Sequence, residues 1–425
     1  MIQPIRPIPA AWNLHWVDLE EPPLPRNGDF FLPTLALFTD DTGALLDEPQ
    51  VLLELDQPRI EDALIQLFER SGVPRKLNVA RSDDWDEVAW KRFSLDYKLE
   101  IQISDVPSLS RAELGMLSDK VAEQFPRVRE SRSAISSGLL RSAGRVRSPS
   151  KRGALLRKAM EVDPGNSLAR VELADMEFQL GEWNLALAGY EEVISAEQRR
   201  FSAAQKWWED VATRPFLRGR MGRAMALWQK GQYADAADEC QHLLQLNPLD
   251  NQGARFYLPM LLLLAEQYDA AADFFTRYER NYPNDYAEPA FLFGWGLSLS
   301  IEDDEDSARK KYREGMARNL YIAPMLLEIP EPAANIWHPN DRAEPSYAGE
   351  FIDSYAVLWD RDTAAIRLVR ETHAAMQPQL ERIASMRAQM ADFQDQRYDQ
   401  DYRARWQKLV AEEEALVASV ASGEA

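Results

Sequence analysis

The residues best able to do chemistry are clustered in one basic stretch. Residues 127–158 hold ten Lys and Arg (Arg127, Arg129, Arg132, Arg141, Arg145, Arg147, Lys151, Arg152, Arg157, Lys158) against one acid, Glu130, for a local charge of +9, with seven serines interspersed. The 425-residue chain as a whole holds 49 Lys and Arg against 69 Asp and Glu, a formal net charge of −20. That balance argues against wholesale electrostatic binding to nucleic acid or to an anionic membrane. A local patch of this kind reads as a linker able to contact nucleic acid or an acidic partner surface. Otherwise, recognised chemistry is sparse. The chain has no GxxxxGK[ST], GxGxxG, GxSxG, CxxC or HExxH motif,. Its four histidines are scattered; His15 stands beside Trp12 and Trp16, and His338 sits in Trp-His-Pro-Asn without Cys or His at ligand spacing,. The expectation is therefore no catalytic residue, no metal and no cofactor.

Cys240 is the sole cysteine, so no disulfide forms within the chain, which fits a reducing compartment,. The opening MIQPIRPIPAAWNLHW has too little continuous apolar sequence for a signal peptide,. No run approaches the ~20 apolar residues that span a bilayer. The expected location is the cytoplasm, without a membrane partner.

The elements that must carry any binding surface are helical. Thr213–Arg255 reads as two antiparallel helices and the start of a third. Gly222, Ala224 and Ala226 allow close packing, and Gly231 ends the first helix in a left-handed cap,. Tyr233, Ala236 and Cys240 form one apolar face of the second, which Asn247-Pro248 stops,. Ala174, Gly181, Trp183, Ala186 and Tyr190 repeat this frame upstream. Tyr268, Ala271, Phe275 and Pro283 repeat it downstream, 35 residues on (268 − 233), and Gly296, Ala308 and Tyr312 make a weaker copy. The step from Gly181 to Gly231 is 50 residues (231 − 181), the excess lying around Gln198–Pro215. This order of small residue, Gly, aromatic, Ala and Pro resembles the tetratricopeptide repeat, whose period is about 34 residues. TRPFLRGRMGRAMALW, LNPLDNQGAR and Asn319–Glu328 together resemble a bacterial helical-repeat family related to the suppressor-of-tumorigenicity-7 proteins, over roughly Thr213–Trp359. Both resemblances imply a repeat scaffold and neither implies a reaction.

Upstream of the repeats, residues 30–126 read as β-β-α-β-α-β-α. Phe30–Phe38 and Ala44–Leu55 flank the turn Asp41-Thr42-Gly43, and Pro33 and Pro49 favour edge positions,. A helix follows Pro58, with Ile60, Ala63, Leu64, Leu67 and Phe68 at helical spacing, and Gly72 ends it. A strand at Lys76–Ala80, a helix at Asp84–Phe93, a strand at Lys98–Ile103 and a helix opened by Ser110 and Glu113 complete the order,. This order, with Asp-Thr-Gly and Gly-Val-Pro-Arg-Lys-Leu, resembles a ribonuclease-H-like domain. It is similar too to an uncharacterised bacterial domain found before helical repeats. The first resemblance implies Mg²⁺-binding carboxylates, with Asp40 or Asp41, Asp83 or Asp84, and Glu113 or Asp119 as candidates; turn and cap roles compete for the same residues.

The fold class expected is α+β and multidomain: a small α/β N-terminal domain followed by an all-α tetratricopeptide-like superhelix. The expected divisions are 1–29 irregular, 30–126 α/β, 127–152 a basic linker, 153–376 helical repeats and 377–425 one long helix. Tyr347–Trp359 and Thr363–Met376 read as a helix pair closing the repeats. Met386, Met390, Phe393, Tyr398, Tyr402 and Trp406 stripe the final helix, which could cap the array or pair with a second chain,. The leading functional expectation is a scaffold that binds a peptide or protein on the first helix of each repeat. Tetratricopeptide analogy places that surface at Asp175, Gln179, Arg218, Trp228, Gln229 and Phe256. The alternative is a metal-dependent nuclease or nucleic-acid-binding protein using the N-terminal domain and the basic stretch.

Overall fold

A computed structural model describes residues 6–19, 23–26, 29–105, 117, 121, 131–201, 206–282, 288–332, 338–393 and 402–422. The helix expected from Ser110, with Glu113 and Asp119, and the stripe residue Tyr398 lie outside the described residues. Two compact units divide the chain: Met1–Gln205 with Ala212–Gly219, and Lys206–Val211 with Arg220–Ala425. The small mixed sheet is N-terminal and the long region after it is all-helical, as the strand patterns and the repeat frame imply.

In the first unit a five-stranded sheet has the order β5-β4-β1-β6-β7. Its strands are β1 (Pro7–Asp18), β4 (Thr34–Asp40), β5 (Gln50–Leu52), β6 (Val73–Ala80) and β7 (Glu100–Ser104), while β2 (Leu24–Arg26) and β3 (Asp29–Phe31) pair separately. β6 and β7 continue parallel from β1, β4 pairs antiparallel with β1, and β5 pairs antiparallel with β4. The central strand therefore comes from the segment expected to be irregular. Trp12, Leu14 and Trp16 alternate with Asn13 and His15, and Trp12 and Leu14 are buried. Residues four apart share a face in a strand as well as in a helix, so the Trp12–Trp16 spacing did not separate the two. Pro9 falls where the pairing register shifts between Ile8 and Ala11, a place a residue without an N–H can occupy,. Pro33 interrupts the expected Phe30–Phe38 strand, which becomes β3 and β4.

Helix α1 (Gln57–Ser71) follows the Asp56 cap and buries Ile60, Ala63, Leu64, Leu67 and Phe68 against the sheet. Helix α2 (Glu87–Tyr97) starts later than its sequence suggests, because Asp86 caps it by accepting from Val88 and Ala89 N–H. The basic stretch is not an open linker over its described length. It folds as α3 (Arg132–Ala143) and α4 (Pro149–Val162). Leu139, Ala143, Leu155, Leu156 and Ala159 bury against Phe30 and Leu32, an apolar face that the flanking charges mask. Then α5 (Ser167–Gln179) and α6 (Trp183–Gln198) form the first hairpin of the repeat frame.

Helix α7 (Arg214–Gln229) crosses the division between the units. The second unit continues with α8 (Tyr233–Leu246), α9 (Ala254–Leu264), α10 (Tyr268–Asn281), α11 (Pro289–Ile301) and α12 (Glu305–Arg318). Short helices α13 (Ile322–Leu327), α14 (Pro345–Tyr355) and α15 (Val357–Asp360) precede α16 (Thr363–Ala375). The expected single C-terminal helix is two, α17 (Gln377–Asp392) and α18 (Tyr402–Ser422), packed on each other. Arg387 of α17 donates to Glu413 of α18 at 2.7 Å and to the Ala317 and Arg318 carbonyls at 3.1 and 3.0 Å, so one buried guanidinium ties both helices to the end of α12. Among the described residues no helix is long and apolar enough to cross a membrane.

Four hairpins turn in the same way, through a residue with positive φ: Gly181, Gly231, Glu266 and Asp303. In each, the residue after it closes the turn on a carbonyl five back, as in Gln232 N–H to Leu227 at 2.9 Å and Gln267 N–H to Leu262 at 2.9 Å,. Glycine takes that backbone freely, whereas glutamate is strained there. Replacing Glu266→Gly should therefore stabilise the second unit by about 1 kcal/mol. The Arg361 ion pair it removes is 3.4 Å and exposed, and contributes little,. A urea midpoint that falls in this variant would contradict the turn assignment.

Candidate binding groove

The second unit holds a cavity of about 610 Å³, floored by the first helices of consecutive hairpins and walled by α14. Trp228 comes from α7, Arg255, Phe256, Tyr257 and Met260 from α9, and Ala290 and Phe291 from α11. Tyr347, Glu350, Phe351, Ser354 and Tyr355 are spaced so that one face of α14 lines it,. The Trp228 and Tyr355 rings stack at 5.4 Å and 13°, and Tyr257 tilts against Trp228 at 5.9 Å. Gly294 lets α11 approach α9: a Cβ there would lie 2.3 Å from Met260 Sδ.

Polar groups fix the walls. Asp250 accepts from Ala254 and Arg255 N–H at 2.8 and 2.9 Å, capping α9 as its position after Pro248 suggests, and also holds the Arg255 guanidinium at 2.9 Å,. That guanidinium lies 4.2 Å over the Phe256 ring,. Glu288 pairs with Arg342 at 2.8 Å and accepts from the Tyr347 hydroxyl at 3.3 Å. Burial pushes the Tyr257, Tyr347 and Tyr355 hydroxyls above the usual tyrosine range, and neighbouring Glu288 adds to each shift, so all three stay protonated as donors,. The loop carrying Arg342 is pinned by Asn319, which is fully buried. Its amide donates to the Arg342 and Glu344 carbonyls at 2.8 and 3.1 Å and accepts from Tyr321 and Ile322 N–H at 2.9 and 3.1 Å.

The six positions expected at a partner surface divide between the units. Trp228 and Phe256 line the cavity, and Gln229 is exposed at the end of α7 without lining it. In the first unit Gln179 is exposed, while Asp175 and Arg218 pair with each other. Arg218 also holds Glu172 at 2.9 Å, and Asp175 accepts from the Tyr190 hydroxyl at 2.7 Å, so both side chains are committed to the packing of α5, α6 and α7. Tyr257, Tyr347, Glu350 and Tyr355 were missed. The spacing of the last three on one helix face was the available signal, but it read as closure of the repeats.

The aspartates expected at a metal site do not converge. Asp40 pairs in register with Trp12, midway along β1, whereas Asp83 and Asp84 follow the end of β6, beyond Val79, which is level with Leu14. Asp83 and Asp84 line a cavity with Asp18 and Thr34, and along β1 the level of Asp18 is six residues (18 − 12) from that of Asp40, on the order of 20 Å at ~3.3 Å per residue,. Asp40 accepts from Thr42 and Ala44 N–H at 2.9 Å and serves the turn. Burial and the nearby Glu54, Asp83 and Asp18 raise the Asp84 carboxyl pKa, but a cation already stands there: Lys151, almost wholly buried, donates to Asp18 at 2.8 Å. Among the described residues no group of three or more His, Cys, Asp or Glu could hold a metal ion. Part of the basic stretch is paired within the first unit. Arg141 and Arg145 pair with Asp29, Arg152 with Glu172 at 2.9 Å and Lys158 with Glu161 at 3.0 Å. Cys240 is fully buried on α8; burial pushes its thiol up to about 12, so it is packing and not a nucleophile,.

A tetratricopeptide repeat profile matches residues 196–251 and 221–286, so tetratricopeptide repeats span that region. No curated protein sequence matches the chain. Among solved structures, YrrB, described as a tetratricopeptide protein with an unusual peptide-binding site, is 15% identical over 47% of this chain and 90% of its own, with a TM-score of 0.35. The pilF protein of Pseudomonas aeruginosa is 16% identical over 57% and 100%, with a TM-score of 0.34. A Rap protein in complex with Competence and Sporulation Factor is 10% identical over 85% and 98%, with a TM-score of 0.31. No match supports the ribonuclease-H-like or suppressor-of-tumorigenicity-7-related resemblance.

Replacing Asn319→Ala removes four hydrogen bonds at a buried site and should cost the second unit roughly 2–4 kcal/mol. Amide exchange over 341–355 should speed up while α8 stays protected. Unchanged exchange in that segment would show that Asn319 does not hold the groove wall.

Proposed function

We propose that the chain is a protein-interaction scaffold whose second unit holds a peptide or protein segment in this groove. One observation carries the reading: aromatic side chains from the first helices of consecutive hairpins converge with a few fixed polar groups around a cavity of about 610 Å³. That volume and mixture are typical of sites that bury a ligand while orienting it by a few hydrogen bonds. Asn319 and the Glu288–Arg342 pair hold the walls through contacts within the chain, and a wall so held loses less entropy on binding,. The tetratricopeptide repeats supply this groove at the seam between neighbouring hairpins, where no hairpin alone forms a wall. The lone buried cysteine is compatible with work in a reducing compartment such as the cytoplasm.

Ser354 is half-buried and lines the cavity, so Ser354→Trp should fill the groove without disturbing the core. Affinity capture from the native cell, repeated after nuclease digestion, is expected to recover a protein partner with the unaltered chain. Recovery with Ser354→Trp should fall at least tenfold at unchanged helical circular dichroism. Equal recovery by both proteins would count against this groove.

A further inference from the structure

We infer that the segment bound in this groove presents a basic side chain, Lys or Arg, between Glu350 and the stacked rings of Trp228 and Tyr355, with an apolar neighbour against Phe256 and Phe291. The inference rests on the groove reading above and adds the chemistry of its occupant.

The charges of the walls decide the sign. Three acids, Asp250, Glu288 and Glu350, face two arginines, Arg255 and Arg342. Both arginines are already engaged: Arg255 with Asp250 at 2.9 Å and with the Phe256 ring, Arg342 with Glu288 at 2.8 Å. Glu288 spends its other oxygen on the Tyr347 hydroxyl. Glu350 remains. It is exposed, lies on the same face of α14 as Tyr347 and Ser354, and has no ion-pair or hydrogen-bond partner among the described residues. Its charge is felt within the cavity, since it raises the pKa of the Tyr257 hydroxyl beside Trp228.

The rings point to the same sign. Trp228 lies 5.4 Å from the Tyr355 ring and 5.9 Å from the Tyr257 ring, so this wall of the cavity is aromatic, and the π face of such a ring attracts a cation and repels an anion,. A wholly apolar occupant would desolvate Glu350 without giving it a partner, and an acidic one would add repulsion. Lys or Arg satisfies both features at once. Its aliphatic stem can lie along the aromatic wall while the charged head reaches the carboxylate at the rim.

Randomised short peptides displayed on phage, selected against the full chain, test this directly. The enriched peptides should carry Lys or Arg at one shared position beside an apolar residue. A synthetic peptide from that set should bind Glu350→Lys about tenfold more weakly than the unaltered chain, and more weakly as salt is raised. Glu350 is exposed, and an unchanged thermal midpoint would establish that the variant is folded. Enriched peptides that lack Lys and Arg, or bind Glu350→Lys equally well, overturn the basic-occupant inference; if Ser354→Trp still blocks them, the groove reading stands. Failure to enrich any peptide, or peptides indifferent to Ser354→Trp, overturns both.

Discussion

A helical hairpin that turns through a single left-handed residue buries the faces its two helices share and leaves the others in need of cover. The repeat at Gly181, Gly231, Glu266 and Asp303 imposes this constraint four times. Each hairpin must find its neighbour, and the seams between hairpins become the places where side chains from different repeats converge. Within the second unit the large aromatic residues gather at these seams. Phe275, Phe291 and Trp295 stack and edge against one another at 5.0–6.1 Å, and Phe293, Phe351 and Trp359 form a second such network. Helix α14 belongs to that second network through Phe351, so its other residues are held in place along the groove.

The polar groups then do what apolar packing cannot: they set position. Asn319 holds the loop before α14 by two of its four hydrogen bonds, Asp250 fixes the start of α9, and the Glu288–Arg342 pair joins the loop to α11. Such buried groups are costly unless fully satisfied, which is why they define one arrangement where apolar contacts would tolerate several. The first unit uses the same device with opposite consequence. Arg141 and Arg145 pair with Asp29, Lys151 with Asp18 and Arg152 with Glu172, so part of a stretch that looks like a nucleic-acid contact in the sequence holds its helices to the strands and to the next helix.

The repeats were legible because their signals are local. Gly231, Tyr233, Ala236 and Asn247-Pro248 fix helix ends and an apolar face within one short stretch, and the helices lie where those residues put them. What failed was non-local. Pro7–Asp18 became the central strand because β4 and β6 pair with it from either side, and nothing in its own proline-rich composition announces them. The charge of residues 132–158 concealed helices whose acidic partners lie far off in the chain. Trp228 and Phe256 could be placed at the groove because they stand on the first helices of repeats. Tyr347, Glu350 and Tyr355 could not, since their helix is brought there by Asn319 and by aromatic packing.

The most direct measurement is site-specific photo-crosslinking of the full chain in its native cell. A photoreactive residue replaces Asn251, which lines the groove, or Asp273, exposed on the second helix of its hairpin. The account predicts a discrete protein adduct from position 251 and none from position 273. Adducts of equal yield from both, or from 273 alone, would contradict the claim that this groove is where the chain holds its partner.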